Sequence, residues 1–528
     1  MHKEAFLLHQ LPWVAAERSP DAVALHDGTA IRYAELASDI RRFAAGLASL
    51  GVQRGERVGI YLDKRRETVV ASFGAPARGA VFVPINPLLK PSQVAHILQD
   101  CNVKVLVTTA DRLDTLGQLL SLCPDLQHVV VTGSGESAAQ QIPVHRWADL
   151  LDARGPWEQR VVDNDIAAIL YTSGSTGKPK GVVLSHRNMV AGAKSVAAYL
   201  ENRSDDVLLA ALPLSFDAGF SQLTTAFHAG ASVVLLNYLL PKDVVNAIDR
   251  YRVTGLTAVP PLWIQLTQVK WPESATSCLR YFANTGGRMP LETLKRLRSI
   301  VPVAKPYLMY GLTEAFRATY LPPEEIDRRP DSIGKAIPNS EILVLREDGS
   351  PCSPDEPGEL VQRGALVAQG YWNDPDRTAE RFRPLPHRLA GLVMSEWAVF
   401  SGDTVRQDGE GFLYFIGRRD EMIKSSGYRI SPNEVEEVVY ASRLVGECAA
   451  FGVAHAALGE VVVVAATASD GHSLDAKHLL SHCREQLPAY MVPADIRVYA
   501  GPLPRNANGK IDRKAIGTEY LRSKDQAG

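Results

Sequence analysis

An excess of charge of either sign is missing from this 528-residue chain: 57 lysines and arginines stand against 59 aspartates and glutamates, a formal net charge of -2. A nucleic-acid surface would need a clear basic excess, so that class of partner is set aside. Paired cysteines are missing too. The six present, Cys101, Cys123, Cys278, Cys352, Cys448 and Cys483, lie far apart with no CxxC spacing, which argues against a zinc site and a disulfide framework and fits a reducing cytoplasm. Long apolar runs are absent. Stretches such as residues 461–466 are strand-sized and too short for a bilayer, and MHKEAFLLHQLPW is too short an apolar run for a signal peptide. Internal repeats and low-complexity tracts are lacking as well. These absences lead to the expectation of a water-soluble cytoplasmic protein with no membrane insertion.

The chain is too long for one hydrophobic core, so at least two domains are expected. Residues 57–62 (RVGIYL), 81–85 (VFVPI) and 103–108 (VKVLVT) read as strands, with helices at 67–75 and 91–100 between them. Strands alternating with helices predict crossover units and a parallel sheet. The alternation resumes from residue 166 to about residue 308, and between 341 and 417 it gives way to short strand-like runs broken by glycine and proline. The last part differs again. A capping box, Ser431-Pro432-Asn433-Glu434, opens a helix through Tyr440. Strands at 461–467 and 496–499 flank a helix at 473–487. The fold class is α/β: a large N-terminal domain (1–417) of parallel α/β subdomains plus a small β-rich subdomain, then a small α+β C-terminal domain (423–528), with the boundary at the polar segment GRRDE.

The segment YTSGSTGKPKGV, residues 171–182, carries four glycines or prolines, four hydroxyls and two lysines between two strand patterns, 165–170 and 181–186. A P-loop needs GxxxxGK[ST] between strand and helix. Here Gly174 and Gly177 are three apart, Lys178 is followed by Pro179, and the loop joins strand to strand. The chemistry still suits phosphate: glycines admit backbone amides to close range, hydroxyls of Thr172, Ser173, Ser175 and Thr176 donate, and lysine offsets charge. A mobile Gly/Ser surface loop is the bland alternative.

This loop closely resembles the phosphate loop of the adenylate-forming superfamily: acyl-CoA synthetases, amino-acid adenylation domains and luciferases. Four further motifs occur in the family's order. LMYGLTEAFR resembles its YGxTE, FSGDTV its TGD with Ser401 for threonine, GRRDEMIKSSGYRI its GRxDxxxKxxGxRI, and PLPRNANGKID its PxxxxGK, where Asn506 replaces the commoner threonine. The resemblance implies a nucleotide site built from Thr172, Ser173, Gly174, Ser175, Thr176, Gly177, Lys180, Gly287, Arg288, Tyr310, Gly311, Asp403 and Arg418. Tyr310 would stack on adenine, and Asp403 and Arg418 would hold the ribose. Glu314 would hold Mg²⁺, with Thr313 beside it, and Lys510 would be catalytic.

By the same resemblance, ATP and a carboxylic acid form an acyl-adenylate, and a thiol of CoA or of a carrier protein's phosphopantetheine arm takes the acyl group. Both first reactants are anionic, so the site must offset their repulsion. A mobile C-terminal domain would carry Lys510 in and, swinging about Asp420 in a hinge at 418–422, withdraw it and present the loop around Gly427.

LPLSFDAGFSQLTTAFHAGA aligns with the floor of the family's acid pocket. Phe216, Asp217, Ala218, Phe220, Ser221, Asn284, Gly286, Met309 and Arg317 would line it, with Phe220 limiting length. A buried carboxylate needs a cation. Either Asp217 meets a substrate ammonium while Arg317 meets a second polar group, or the two pair with each other and the pocket takes an ordinary fatty or aryl acid. A short or polar acid, amino and β-amino acids included, is expected over a long saturated one. FDAG with YGLTEAFRATYLPP also resembles exosortase-associated acyl-CoA ligases and β-amino-acid–carrier-protein ligases, and IGTEYLRSKDQAG leaves no room for a fused carrier domain. Partners are then a small acid and either CoA or a stand-alone carrier protein, with the chain a monomer or homodimer. A luciferase-like oxidative use of the adenylate, and a non-catalytic nucleotide-binding protein, stay open as alternatives; the second would expect loss of Lys510, Glu314 or Asp420.

Overall fold

Strands that read as unbroken apolar runs must be covered on both faces, and crossover helices do this for two parallel sheets. The computed structural model describes residues 4–133, 142–172, 179–386, 391, 393–418, 421–425, 428–455, 458–469, 473–506 and 509–525. In sheet order the first runs Val144–Arg146, His128–Thr132, Val103–Thr109, Arg57–Ile60, Val81–Pro84, Ile166–Thr172 and Lys180–Ser185. All its pairs are parallel except the last, an antiparallel hairpin.

The second sheet is parallel from Lys305–Tyr310 through Tyr281–Asn284, Gly255–Ala258, Val207–Ala210 and Ser232–Leu235 to Val23–Asp27. Antiparallel strands finish both edges, Thr29–Arg32 at one and Thr319–Leu321 with Lys335–Ala336 at the other. The predicted alternation of strand and helix is found. The seating of the N-terminal hairpin on this second sheet was not predicted. Leu25 pairs with Val233, and no local pattern encodes so distant a partner.

The β-rich unit is an antiparallel sheet of Ser340–Leu345, Gly358–Gly364, Phe382–Pro384, Trp397–Gln407 and Leu413–Arg418. The C-terminal sheet pairs Gly459–Ala468 with Val445–His455, Ile423–Ser425 and Asp495–Tyr499. Alternation along these strands divides the small core. Cys448, Ala450, Val462 and Val464 face helices Pro432–Ala441 and Ala476–Gln486, while Ala449, Phe451, Val463 and Ala465 face helix Arg513–Asp525. One expectation fails at the first of these helices. Ser431 is its N-cap, but its hydroxyl makes no hydrogen bond, because the Glu434 amide is taken by the Ser431 carbonyl (3.2 Å) and Pro432 has no amide to offer.

The N-terminal segment is locked down by two buried histidines. The Leu8 amide donates to His186 Nδ1 (2.9 Å), which leaves the neutral ring's proton on Nε2. Burial, with the His186 ring nearby, pushes His9 down to about 3, and burial pushes His186 down to about 4. Both lie below the unfolded value, so the unfolded chain takes up protons first and stability falls with pH below about 6.5. Between pH 6.5 and 5 the loss should be about 1.6 kcal/mol per histidine. Urea unfolding of His186→Asn should show a shallower pH dependence; an unchanged slope would dismiss His186 as a cause.

Candidate active site

Thr172 and Lys180 face each other at the loop end of the antiparallel hairpin. The predicted loop residues Ser173, Gly174, Ser175, Thr176 and Gly177 lie outside the described residues. The Lys180 ammonium stands 3.1 Å from Glu314 Oε1 and donates to Tyr371 Oη (2.8 Å), and Tyr371 Oη donates to the same carboxylate oxygen (2.6 Å). Burial pushes the Glu314 carboxyl up, but Lys180 and Tyr371 outweigh it and hold the group below the usual range.

Nothing in the sequence pointed to Tyr371. It arrives because the segment after Gly364 runs back along the hairpin: Val183 donates to the Gly370 carbonyl (3.0 Å) and Trp372 to that of Gly181 (2.7 Å). The nearest signal was an aromatic pair following a glycine, Gly370-Tyr371-Trp372.

A turn sets the next geometry. Thr313–Ala315 is a short 3-10 turn, and Phe316 follows with φ +56° and ψ -47°. The Arg317 amide closes back on the Ala315 carbonyl (2.6 Å), a strained three-residue turn. The Phe316 ring is fully buried in the space that a side chain on Gly192 would fill, its Cδ1 lying 2.4 Å from where that Cβ would stand. Glu314 can thereby face Lys180 while Arg317, three residues on, faces Asp217. Gly311 lies under the same turn, a Cβ there being 3.2 Å from the Arg317 Cα.

On a second side Tyr310 Oη donates to Asp403 Oδ2 (2.5 Å), and Arg418 Nε stands 3.4 Å from Asp403 Oδ1. Burial pushes the Asp403 carboxyl up, against the pull of Arg418 and the Tyr310 hydroxyl. These three predicted nucleotide residues therefore meet.

Helix Asp217–Ala229 supplies the third side. Ser221 and Thr225 follow Asp217 at helical spacing and line a narrow cleft with about 10 Å³ of free volume, together with Ala218, Met309 and Arg317. Phe220 points the other way, with its ring 4.8 Å from Phe82 and 5.6 Å from Phe73 in the main core. It does not wall the cleft, because its position belongs to the stripe of Leu223 and Phe227. Arg317 Nη1 contacts Asp217 Oδ2 at 3.2 Å, with both side chains under 5 % exposed. Burial pushes the Asp217 carboxyl up, and Arg317 and then Lys510 oppose it. Asp217 Oδ1 makes no well-aligned hydrogen bond, and neither does Arg317 Nε. Asn284 donates to the Gly287 carbonyl (2.8 Å), shaping the loop that leads to Gly286.

Lys510 lies where these sides converge. Its loop is closed at the base by Asn506, whose side-chain oxygen accepts from the Lys510 amide (3.1 Å) and whose own amide donates to the Lys510 carbonyl (2.8 Å). The ammonium sits 5.3 Å from the centre of the Phe216 ring. Burial pushes its pKa down; Asp217 counters, Arg418 adds to the fall, and Asp403 and Glu421 counter again. Asp420 and Gly427 lie outside the described residues. Arg288, predicted to touch nucleotide, faces Glu437 of the C-terminal part at 3.5 Å.

The sequence pattern of AMP-binding enzymes matches residues 13–372, and that of the AMP-binding enzyme C-terminal domain matches residues 434–510. The chain belongs to the AMP-binding enzyme family. A long-chain-fatty-acid–CoA ligase of Escherichia coli O157:H7 is 30 % identical to it over 93 % of this chain and 90 % of its own length. A feruloyl-CoA synthase of an Amycolatopsis species is 31 % identical over 94 % and 95 %. Among solved structures, o-succinylbenzoate CoA synthetase (MenE) of Bacillus subtilis, in complex with its acyl-adenylate intermediate, has a TM-score of 0.81 and 28 % identity, covering 96 % of this chain and 97 % of that one. Membership makes the protein an adenylate-forming, AMP-forming ligase, as its motifs implied. Among the described residues no cluster of three or more metal-ligating side chains occurs, and no helix is long and apolar enough to cross a membrane. A lone carboxylate such as Glu314 suits Mg²⁺, which prefers one or two carboxylates plus substrate phosphates.

Gly286 offers a direct check on this geometry. Its φ is +75°, and a Cβ there would stand 2.9 Å from Lys510 Cε. Gly286→Ala should slow adenylate formation by ~10–100-fold through a displaced ammonium, with nucleotide affinity little changed. Pyrophosphate exchange and nucleotide titration separate the two; full exchange activity would refute the close seating.

Proposed function

We propose that the protein couples a short or polar carboxylic acid to the α-phosphorus of ATP, releases pyrophosphate, and passes the acyl group to the thiol of CoA. The seating of Lys510 between the Phe216–Asp217 side and the Asp403–Arg418 side carries this reading. From there one ammonium reaches both the carboxylate and the nucleotide, offsetting charge that builds as they join. Tyr310 stacks on the base, Asp403 and Arg418 take the ribose hydroxyls, and Thr172, Lys180 and Thr313 lie toward the phosphates. When bound at Glu314, Mg²⁺ would supply further charge neutralisation to those phosphates. The chain divides at a hinge over 418–422 between domains 1–417 and 423–528, and it works in the cytoplasm. CoA is favoured over a carrier protein because the relatives named above are CoA ligases and synthases.

For the acid, the polar groups of the cleft (Arg317, Ser221 and Thr225), with Asp217 against Arg317, favour a compact substrate with a second polar group. The contact between Asp217 and Arg317 favours a second reading, in which the pair is structural and an ordinary acid lies above it. Pyrophosphate exchange across fatty, aryl, dicarboxylic, amino and β-amino acids decides. Under the first reading Asp217→Asn changes which acids are accepted. Under the second it lowers exchange with every acid, since it leaves Arg317 buried and unpaired.

Lys510→Ala should lower adenylate formation by ~10²–10³-fold while nucleotide binding is largely kept; normal exchange would remove Lys510 from the chemistry. Because burial depresses its pKa, the working ammonium is present at low pH and lost as pH rises. The alkaline limb of kcat/KM, which reports the free enzyme, should therefore fall below the usual lysine value of about 10.4.

A further inference from the structure

Lys510 reaches the cleft only if the C-terminal part is held against the large domain, and the polar contacts that hold it cluster around one helix. Glu437, on helix Pro432–Ala441, lies 3.5 Å from Arg288 Nε and is also acted on by the Leu291 amide, the first of helix Leu291–Ile300. A carboxylate there meets both a guanidinium and the positive end of a helix. One residue further along the same large-domain helix, Glu292 pairs with Arg443 at 3.0 Å, just past the end of the small-domain helix. Glu434 adds a second carboxylate near Arg288. Side chains of Arg288 and Glu437 are 27 % and 20 % exposed, so this pair is partly shielded from solvent, whereas Arg443 is 75 % exposed.

From these contacts we infer that Arg288, Glu437, Glu292 and Arg443 are positioning residues, a two-point electrostatic latch that holds Lys510 in the cleft, and that Arg288 serves this contact and not the nucleotide. The inference rests on the role proposed above for Lys510. Arg288 leaves a loop that begins at Gly286, the residue against which Lys510 lies, so the latch and the lysine's seat share one short segment. A shift of the small domain at the latch is then felt at the ammonium.

The test uses the full chain with the variants Arg288→Glu, Glu437→Arg, their combination, and Glu437→Gln. Two readouts apply: pyrophosphate exchange, and the rate at which acetic anhydride modifies Lys510 relative to the other lysines, followed by mass spectrometry with no nucleotide added. The second needs no activity, so it separates failure of the latch from failure of the proposed reaction. Each single change should raise Lys510 labelling about fivefold, a size in keeping with coupling across a contacting pair. The exchange rate should fall by a similar factor at little change in KM for ATP, and added salt should mimic the loss. The charge-swapped pair should recover at least half of both losses, which a merely misfolded variant would not do. If instead Arg288→Glu weakens ATP binding, Glu437→Gln is silent and the swap rescues nothing, Arg288 is a nucleotide contact and the latch is overturned.

Discussion

A cation kept half out of water is the constraint on which the cleft depends. Desolvating an ammonium or guanidinium is costly unless a partner shares the charge. Lys510 is flanked by the Phe216 ring and influenced by Asp217 and Asp403, Lys180 is held by Glu314 and Tyr371, and Arg317 and Arg418 stand against Asp217 and Asp403. Lys180, Arg317 and Arg418 are thus each held against a carboxylate of the chain itself. An anionic reactant that enters such a site competes with carboxylates already in place, and it gains because the cations need no further ordering.

The backbone is bent to serve this arrangement. Left-handed φ at a bulky residue such as Phe316 is unfavourable, and it survives here because the ring is clamped in the core beside Gly192. Without that turn Glu314 and Arg317 would follow an ordinary strand or helix path, and their side chains would not divide between the phosphate side and the acid side. Gly286, also at positive φ, does the complementary work of leaving room for Lys510.

The candidate residues were legible because the motifs of the AMP-binding enzyme family are short and their residues lie close in sequence. Asp403 and Arg418 stand opposite each other on paired strands, and Tyr310 reaches Asp403. Phe220 was misplaced because alignment puts consecutive residues on one wall, whereas a helix turns them to opposite faces. Arg288 also meets Glu437, a contact between parts of the chain that no local motif records. Tyr371 went unnoticed for the same reason: it reaches Lys180 and Glu314 only when a distant segment lies along the hairpin.

Local order of residues determined a good deal by itself: the alternation that makes parallel sheets, the loop chemistry suited to phosphate, and membership in a family of adenylate-forming enzymes. Those features depend on near neighbours, whose spacing the chain states outright. Tertiary structure alone decided that Arg317 lies on Asp217, that Tyr371 joins Lys180 and Glu314, and that Lys510 rests on Gly286. Coulomb and van der Waals forces act over a few ångströms in space, and the residues they join here are separated by many positions along the chain.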